Sequence, residues 1–230
     1  MEWVQWEPQM RAIRAQFGYD QAEDATAAGL LKTLLPKPGP AWRDLGVQLR
    51  NRRNLILLGC GPTLERTPPA SLVGKVVVAA DGAATWLREQ RRPPNVVVTD
   101  LDGAEEDLVW AAEQGAFMVV HAHGDNQDAL RRIVPHLGPL VWGTHQVEPT
   151  PALEPMRNLG GFTDGDRAVL LCEALGGRAA TLHGFDFKEP PSRYSGRFDP
   201  ATKPAKLQWA ERIVGECHAR GQLRLALWKP

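Results

Sequence analysis

The chain is poor in cysteine: Cys60, Cys172 and Cys217 are the only three in 230 residues, and no Cys-x-x-Cys pair exists. Their odd number and wide spacing argue against a zinc site and against a disulfide framework. Cys172 falls in an apolar helical stretch and reads as a core residue. Neither sign of charge is in excess, with Lys plus Arg at 27 and Asp plus Glu at 27, so nothing global points to nucleic acid or a membrane surface. Arg43, Arg50, Arg52 and Arg53 cluster locally and read as a solvated face. No apolar run approaches the ~20 residues that a membrane span needs. The start, Met1-Glu2-Trp3, brings an acid early and lacks the apolar core of a signal peptide. A cytoplasmic protein is the expectation. Internal repeats, low-complexity tracts, a full Gly-x-Gly-x-x-Gly and a Walker A loop are all missing.

What is present is ordinary globular material, 43% hydrophobic, enough for one α/β domain with a small appendage. Residues 1–50 read as a helical N-terminal appendage, with helical stretches at Pro8–Phe17 and Asp20–Leu35 broken by Pro36-Lys37-Pro38-Gly39-Pro40. Trp3, Trp6 and Trp42 would pack it down, within one chain or between two, so a homodimer stays open. Residues 51–230 read as the α/β domain. Apolar strands are expected at Asn54–Leu58, Lys75–Ala80, Asn95–Thr99, Ala116–His121, Pro139–Trp142 and Ala179–His183, with a closing strand at Gln222–Trp228. Helical stretches lie between most of them, and Pro204–Arg220 reads as a late helix. Such alternation predicts a Rossmann-like, mainly parallel sheet with helices on both faces.

Ligands of open α/β sheets bind beyond the carboxyl ends of the strands, and acids gather there. After the third strand, Asp100-Leu101-Asp102-Gly103 sets two carboxylates one residue apart. Buried carboxylates are costly unless paired or bound to a cation. The pair therefore suggests a hard metal such as magnesium with a phosphate nearby, against an Asp-Gly turn and helix cap. After the fourth strand, Asp125 and Asp128 stand three apart at a helix start, where both can face one site or simply favour the helix dipole. Four carboxylates in one crevice would repel without a cation. His121 and His123 admit zinc, but the excess of carboxylates favours magnesium.

Other strand ends carry softer signals. Gly59-Cys60-Gly61-Pro62-Thr63 lets the backbone approach a phosphate, or is a tight turn. Asp81, before Gly82, suits a ribose hydroxyl, a metal, a polar ring or a helix N-cap. In Gly160-Gly161-Phe162-Thr163-Asp164-Gly165-Asp166-Arg167 a helix start can hold an anion and Arg167 can pair a phosphate; a capped helix with an Asp164–Arg167 surface pair is the alternative. Asp186 between Phe185 and Phe187 suits a flat heterocycle, or is a cap beside a core aromatic pair. The loop from Ser192 to Lys203, with Lys188, Arg193, Arg197, Lys203 and Lys206, suits a mobile triphosphate clamp.

Taken in order, Gly59-Cys60-Gly61-Pro62-Thr63-Leu64, Ala80-Asp81-Gly82-Ala83, Val98-Thr99-Asp100-Leu101-Asp102-Gly103, His121-Ala122-His123-Gly124-Asp125-Asn126, Gly161-Phe162-Thr163-Asp164-Gly165-Asp166-Arg167, His183-Gly184-Phe185-Asp186-Phe187 and Lys206-Leu207-Gln208-Trp209-Ala210 resemble the archaeal 6-hydroxymethyl-7,8-dihydropterin diphosphokinase family (MptE-like). The acidic step is also similar to that of thiamine diphosphokinases, usually Gly-Asp-x-Asp-Ser, but Thr99 and Gly103 replace the flanking residues. The resemblance implies magnesium-dependent transfer of a diphosphoryl group from ATP to the pterin hydroxymethyl group, releasing AMP. It implies metal at Asp100, Asp102, Asp125 and Asp128, with Arg167 beside them. Nucleotide or pterin would lie on Gly59, Gly61, Pro62, Thr63, Asp81, Gly82, Asp164, Asp166, Asp186 and Phe185. A thiamine or sugar-nucleotide enzyme of the same fold, and a non-catalytic nucleotide-binding module, remain as alternatives.

Overall fold

Seven short apolar strands build the middle of the molecule, and most are buried on both faces. In the computed structural model, which describes residues 3–37, 39–196 and 198–230, three helices come first: α1 (Trp3–Phe17), α2 (Gln21–Leu34) and α3 (Trp42–Leu49). Strands and helices then alternate: β1 (Leu55–Leu58), β2 (Val76–Ala80), α4 (Ala83–Glu89), β3 (Val96–Thr99), α5 (Glu105–Glu113), β4 (Phe117–Ala122), α6 (Gln127–Ile133), β5 (Val141–His145), α7 (Asp164–Ala174), β6 (Ala179–His183), α8 (Lys203–Arg220) and β7 (Arg224–Leu227). Every pairing is parallel, in the order β5-β4-β3-β2-β1-β6-β7. The expected α/β class is correct, and the closing strand lies at an edge. Met1, Glu2, Pro38 and Arg197, all named above, fall outside the described residues.

The first half of the sheet grows one way from β1 and the second half the other way, so the order reverses between β1 and β6. That reversal opens a crevice above their carboxyl ends. The N-terminal helices divide between the two faces. Ala27, Ala28 and Leu31 of α2 join Trp86, Leu108 and Ile133 on one side. Trp6, Met10 and Ile13 of α1 and Trp42, Leu45 and Leu49 of α3 join Val169, Leu170 and Ile213 on the other. Trp6 and Trp42 are thus buried within the chain, and the homodimer has no support from them. No helix among the described residues is long and apolar enough to cross a membrane.

Three local differences have physical reasons. Helix α1 begins at Trp3 rather than Pro8, because Trp6 is buried together with Met10 and Ile13; Pro8, its sixth residue, costs the helix one N–H bond. Strand β5 continues through Gly143, Thr144 and His145, because these pair with Val120, His121 and Ala122 of β4. The segment after β1 is a 3-10 turn, Pro62–Arg66, rather than an α-helix. The Arg43, Arg50, Arg52 and Arg53 side of the chain is exposed, as expected.

The β1–β6 seam is close enough to exclude side chains. A Cβ on Gly59 would sit 2.6 Å from the Gly184 carbonyl oxygen, and Gly184 has φ +72°. Gly184→Ala should therefore lower unfolding free energy by about 2 kcal/mol or more, from left-handed strain plus overlap. Gly29→Ala, in the interior of α2 with no atom within 4 Å of the new methyl, should instead raise it by about 0.5–1 kcal/mol. Chemical denaturation of the two variants checks both signs.

Candidate active site

Strands β2 and β3 are neighbours, with Ala80 opposite Val98, so the residues following them meet. Asp81, Asp100 and Asp102 each bring one carboxylate oxygen to within 4.8 Å of the others. Three details hold them there. The buried Thr99 hydroxyl donates to Asp81 Oδ1 and accepts from the Leu101 N–H at 2.8 Å. Leu101 takes φ +70° with its side chain buried, so the flanking acids project away from the core. Gly103 leaves room for the Asp81 carboxylate, which a Cβ would meet at 2.5 Å. Backbone strain of this kind, in non-glycine residues, persists only where surroundings over-determine it; Asp81 itself has φ +36°.

The electrostatics are those of crowded like charges. Burial first, then the charges of Asp102 and Asp100, push the Asp81 carboxyl well above the usual range. Burial and the Asp100 charge raise Asp102 as well. Burial also acts upward on Asp100, but the hydrogen bond and charge of His123, with the charge of Arg167, outweigh it and hold the group at about 2. His123 Nε2 lies 3.4 Å from Asp100 Oδ2, while Asp100 Oδ1 is buried with no partner. An orphaned carboxylate oxygen beside two further carboxylates is a donor set for a hard cation. The residues therefore fit a bound divalent ion.

Asp125 and Asp128 do not join this group. A 3-10 turn at Gly124–Asn126 precedes α6 and sets the first turn of that helix outward. The Asp128 side chain is 97% exposed and pairs with Arg131; Asp125 is exposed at the rim of a neighbouring cavity. The residue of this loop that reaches the site is Asn126. Its Nδ2 donates to the Asp100 and His121 carbonyls, both at 2.7 Å, and so ties the ends of β3 and β4 together.

The crevice at the β1–β6 switch is a cleft of about 990 Å3, open to solvent, and the three acids line it together with Gly59, Gly61, Asp164, Asp166, Asp186, Lys203 and Lys206. Its glycine loop is not the phosphate cradle expected. Gly59 N–H donates to the His183 carbonyl and Gly61 N–H to the Gly184 carbonyl, each at 2.8 Å. Pro62 has no N–H, and the Thr63 amide and hydroxyl both donate to Asp186 Oδ2 at 2.8 and 2.7 Å. Asp186 is thereby a clamp on the turn, and Phe185 packs in the core edge-to-face with Phe187 at 6.0 Å. Gly82 lies under Tyr194, whose carbonyl oxygen a Cβ would overlap. Asp166 caps α7, its two oxygens occupied by the Phe162 amide at 2.6 Å and the Thr163 amide and hydroxyl at 2.9 Å.

Positive charge enters from two places. Lys203 and Lys206 of α8 line the cleft, as does the first turn of α7, the positive end of its dipole. Asp164 is pushed up by burial and by Asp100, with Arg167 acting against them. Arg167 is buried behind Asp100, 3.5 Å from Asp164 and 3.4 Å from Gln146, and opens on the neighbouring cavity. The loop after β6 is pinned rather than free among its described residues: Ser192 N–H donates to the Cys60 carbonyl at 2.8 Å, and Arg193 pairs with Glu89 at 2.8 Å on the outside. Lys188 pairs with Glu211.

A doubly wound parallel sheet with three carboxylates gathered beside its switch-point cleft defines a protein of the Rossmann-like α/β class. The chain belongs to the family described as 6-hydroxymethylpterin diphosphokinase MptE-like, which it matches over residues 33–191. It is 38% identical over 237 residues to the 6-hydroxymethyl-7,8-dihydropterin pyrophosphokinase of Methanothermobacter thermautotrophicus, covering 98% of both chains. It is 37% identical over 232 residues to the protein of that name from Pyrococcus furiosus, again covering 98% of both. The Methanocaldococcus jannaschii protein of the same name is 30% identical over 93% of this chain and 95% of its own.

The acid cluster yields a test that needs no substrate. Asp81 has a raised folded-state pKa, so the cation-free fold loses stability as pH rises above the unfolded carboxyl value of about 3.9. That loss is complete once pH passes the folded value, and below about 3.9 it is absent. Asp81→Asn should raise the melting temperature of metal-free protein near neutral pH but not in acid. The same change should abolish the upward shift that magnesium gives the unmodified chain. Thermal melts with and without magnesium at both pH values read the four outcomes.

Proposed function

We propose that this chain transfers a diphosphoryl group from ATP to the hydroxymethyl group of 6-hydroxymethyl-7,8-dihydropterin, giving AMP and the pterin diphosphate. The proteins it matches along nearly their whole length carry that pterin in their names, and neither thiamine nor a nucleotide sugar. The observation that carries the reading at the site is the orphaned Asp100 oxygen within a trio of carboxylates at the edge of a large cleft.

Asp81, Asp100 and Asp102 would hold magnesium. When bound, the ion supplies positive charge to the phosphate oxygens and neutralises what develops there. The chain's own residues do the rest. The pterin hydroxyl oxygen forms a bond to the β-phosphorus and gives up its proton to the departing phosphate or to solvent, the bond from that phosphorus to the α–β bridging oxygen breaks, and AMP leaves with the electron pair. Positioning and electrostatics supply most of the catalysis in such a transfer. Lys203 and Lys206 meet the negative charge of the phosphates from α8, and the start of α7 presents its dipole to them. Arg167 and His123 keep Asp100 ionised, so one ligand carboxylate is always charged. Gly196 lies against the Asp102 backbone at the edge of the cleft.

AMP should form from ATP only with both the pterin and magnesium present. Asp100→Asn should lower kcat by about a hundredfold or more, and Asp128→Asn should leave it unchanged. AMP release measured by chromatography decides between this ligand set and one that includes Asp128; ATP hydrolysis indifferent to the pterin would count against the reading.

A further inference from the structure

A second cavity, of about 790 Å3, adjoins the first and shares Asp100, Phe162 and Lys206 with it. Its far wall is built by the N-terminal segment, through Gly18, Tyr19, Asp20, Glu23 and Asp24, and its floor includes His123, Asp125 and Arg167. Resting on the function proposed above, we propose that this cavity is the acceptor subsite: it takes the flat pterin ring, while the switch-point cleft takes ATP, and Asp100 stands between them.

In the switch-point cleft Asp186 is already engaged, accepting from Thr63 through Oδ2. The second cavity offers what that cleft does not. Tyr19, half-buried, lines this cavity and not the first; stacked on Phe17 at 5.7 Å and 6.3 Å from Phe162, it is a fixed ring for a planar heterocycle to meet. Lys206 sits 5.9 Å from both ring centres, at the boundary where the transferred phosphate must pass. Among the described residues the Glu23 and Asp125 carboxylates have no hydrogen-bond partner, and a pterin presents adjacent ring N–H and amino donors that one carboxylate can accept together. Arg167, 6% exposed, leaves its Nε unpartnered, a buried donor suited to a ring carbonyl. The pocket is also rigid. Asp24, 2% exposed, accepts from Gly124 N–H at 3.0 Å, Gln146 Nε2 at 2.8 Å and Arg14 Nη2 at 3.0 Å, which fixes α2 against the ends of β4 and β5.

Charge agrees with the division: ATP carries the negative charge, and the switch-point cleft holds Lys203 and the α7 start. Acceptor and donor would then approach the carboxylate trio from opposite sides, as displacement at phosphorus requires.

Binding to the full-length chain separates the two cavities. The probes are 6-hydroxymethylpterin, followed by its fluorescence, and magnesium with a non-hydrolysable ATP analogue, followed by calorimetry. Tyr19→Ala should raise the pterin Kd about tenfold or more with nucleotide Kd unchanged, and Tyr19→Phe should restore pterin binding. If Tyr19→Ala fails to fold, Glu23→Gln with Asp125→Asn, both at exposed positions, should weaken pterin and spare nucleotide. Unchanged pterin binding in a folded variant overturns the subsite while AMP formation by the unmodified chain keeps the proposed function. A raised nucleotide Kd with intact pterin binding overturns it too, by exchanging the two cavities. An unmodified chain that neither binds the pterin nor turns it over overturns function and subsite together.

Discussion

Repulsion among Asp81, Asp100 and Asp102 is the constraint around which the strand ends are arranged. One carboxylate oxygen from each lies within 4.8 Å of the other two, and Asp81 and Asp102 are driven toward the neutral form by burial and by neighbouring charge, that of Asp100 acting on both. A chain free to relax would swing them apart. It is prevented by the parallel pairing of β2 and β3, by the Thr99 hydroxyl bound to Asp81, by Leu101 in the left-handed region and by Gly103 yielding its side-chain space. Leu101 and Gly103 cost or withhold stability, and all four keep acids together that electrostatics would separate. Only a cation reverses the sign of that interaction.

The glycine loop shows the same economy at the next seam. Its amides are bonded across to β6 and to Asp186, so the switch point is closed at its floor rather than lined with free donors. Attraction for phosphate then has to come from the lysines of α8 and the start of α7, which stand over the acids. Negative floor and positive roof suit a ligand that arrives with its own divalent ion. A phosphate ligand without an ion would be repelled by the acids.

Much of the architecture was legible because β-branched, doubly buried strands separated by helices leave few alternatives to a parallel sheet. Val96-Val97-Val98-Thr99 and Val76-Val77-Val78 could hardly be anything else, and the acids at their ends were visible at once. What could not be read was which strand ends would be neighbours. Asp81 looked like a contact for a nucleotide because nothing in the sequence says that β2 lies beside β3. Asp125 and Asp128 looked like a pair because three-residue spacing places side chains on one helix face. It does not say which way that face turns, and the 3-10 turn through Asn126 decides it. Tyr19, Asp24 and Gln146 carried no local signal, since Tyr19 meets Phe162, and Asp24 meets Gly124 and Gln146, only once distant stretches are folded together.

Those distant partners change the standing of the N-terminal helices. Asp24 accepts a hydrogen bond from Gln146 Nε2 at 2.8 Å, so the amide of Gln146 presents Oε1 to the other side, where Arg167 and His121 lie at 3.4 and 3.2 Å. An oxygen at that point is an acceptor, which makes His121 donate through Nε2; burial and then the Arg167 charge hold its pKa well below the usual value, so it stays neutral. Arg167 is turned by the same oxygen toward Asp100, whose charge it supports. A helix near the start of the chain therefore sets, through one amide, the hydrogen-bond direction of a histidine and the field at a carboxylate beyond β4. Removing the Asp24 carboxylate would let Gln146 rotate and leave Arg167 facing an amide N–H₂ group, weakening the positive potential at Asp100 without touching any of the three clustered acids.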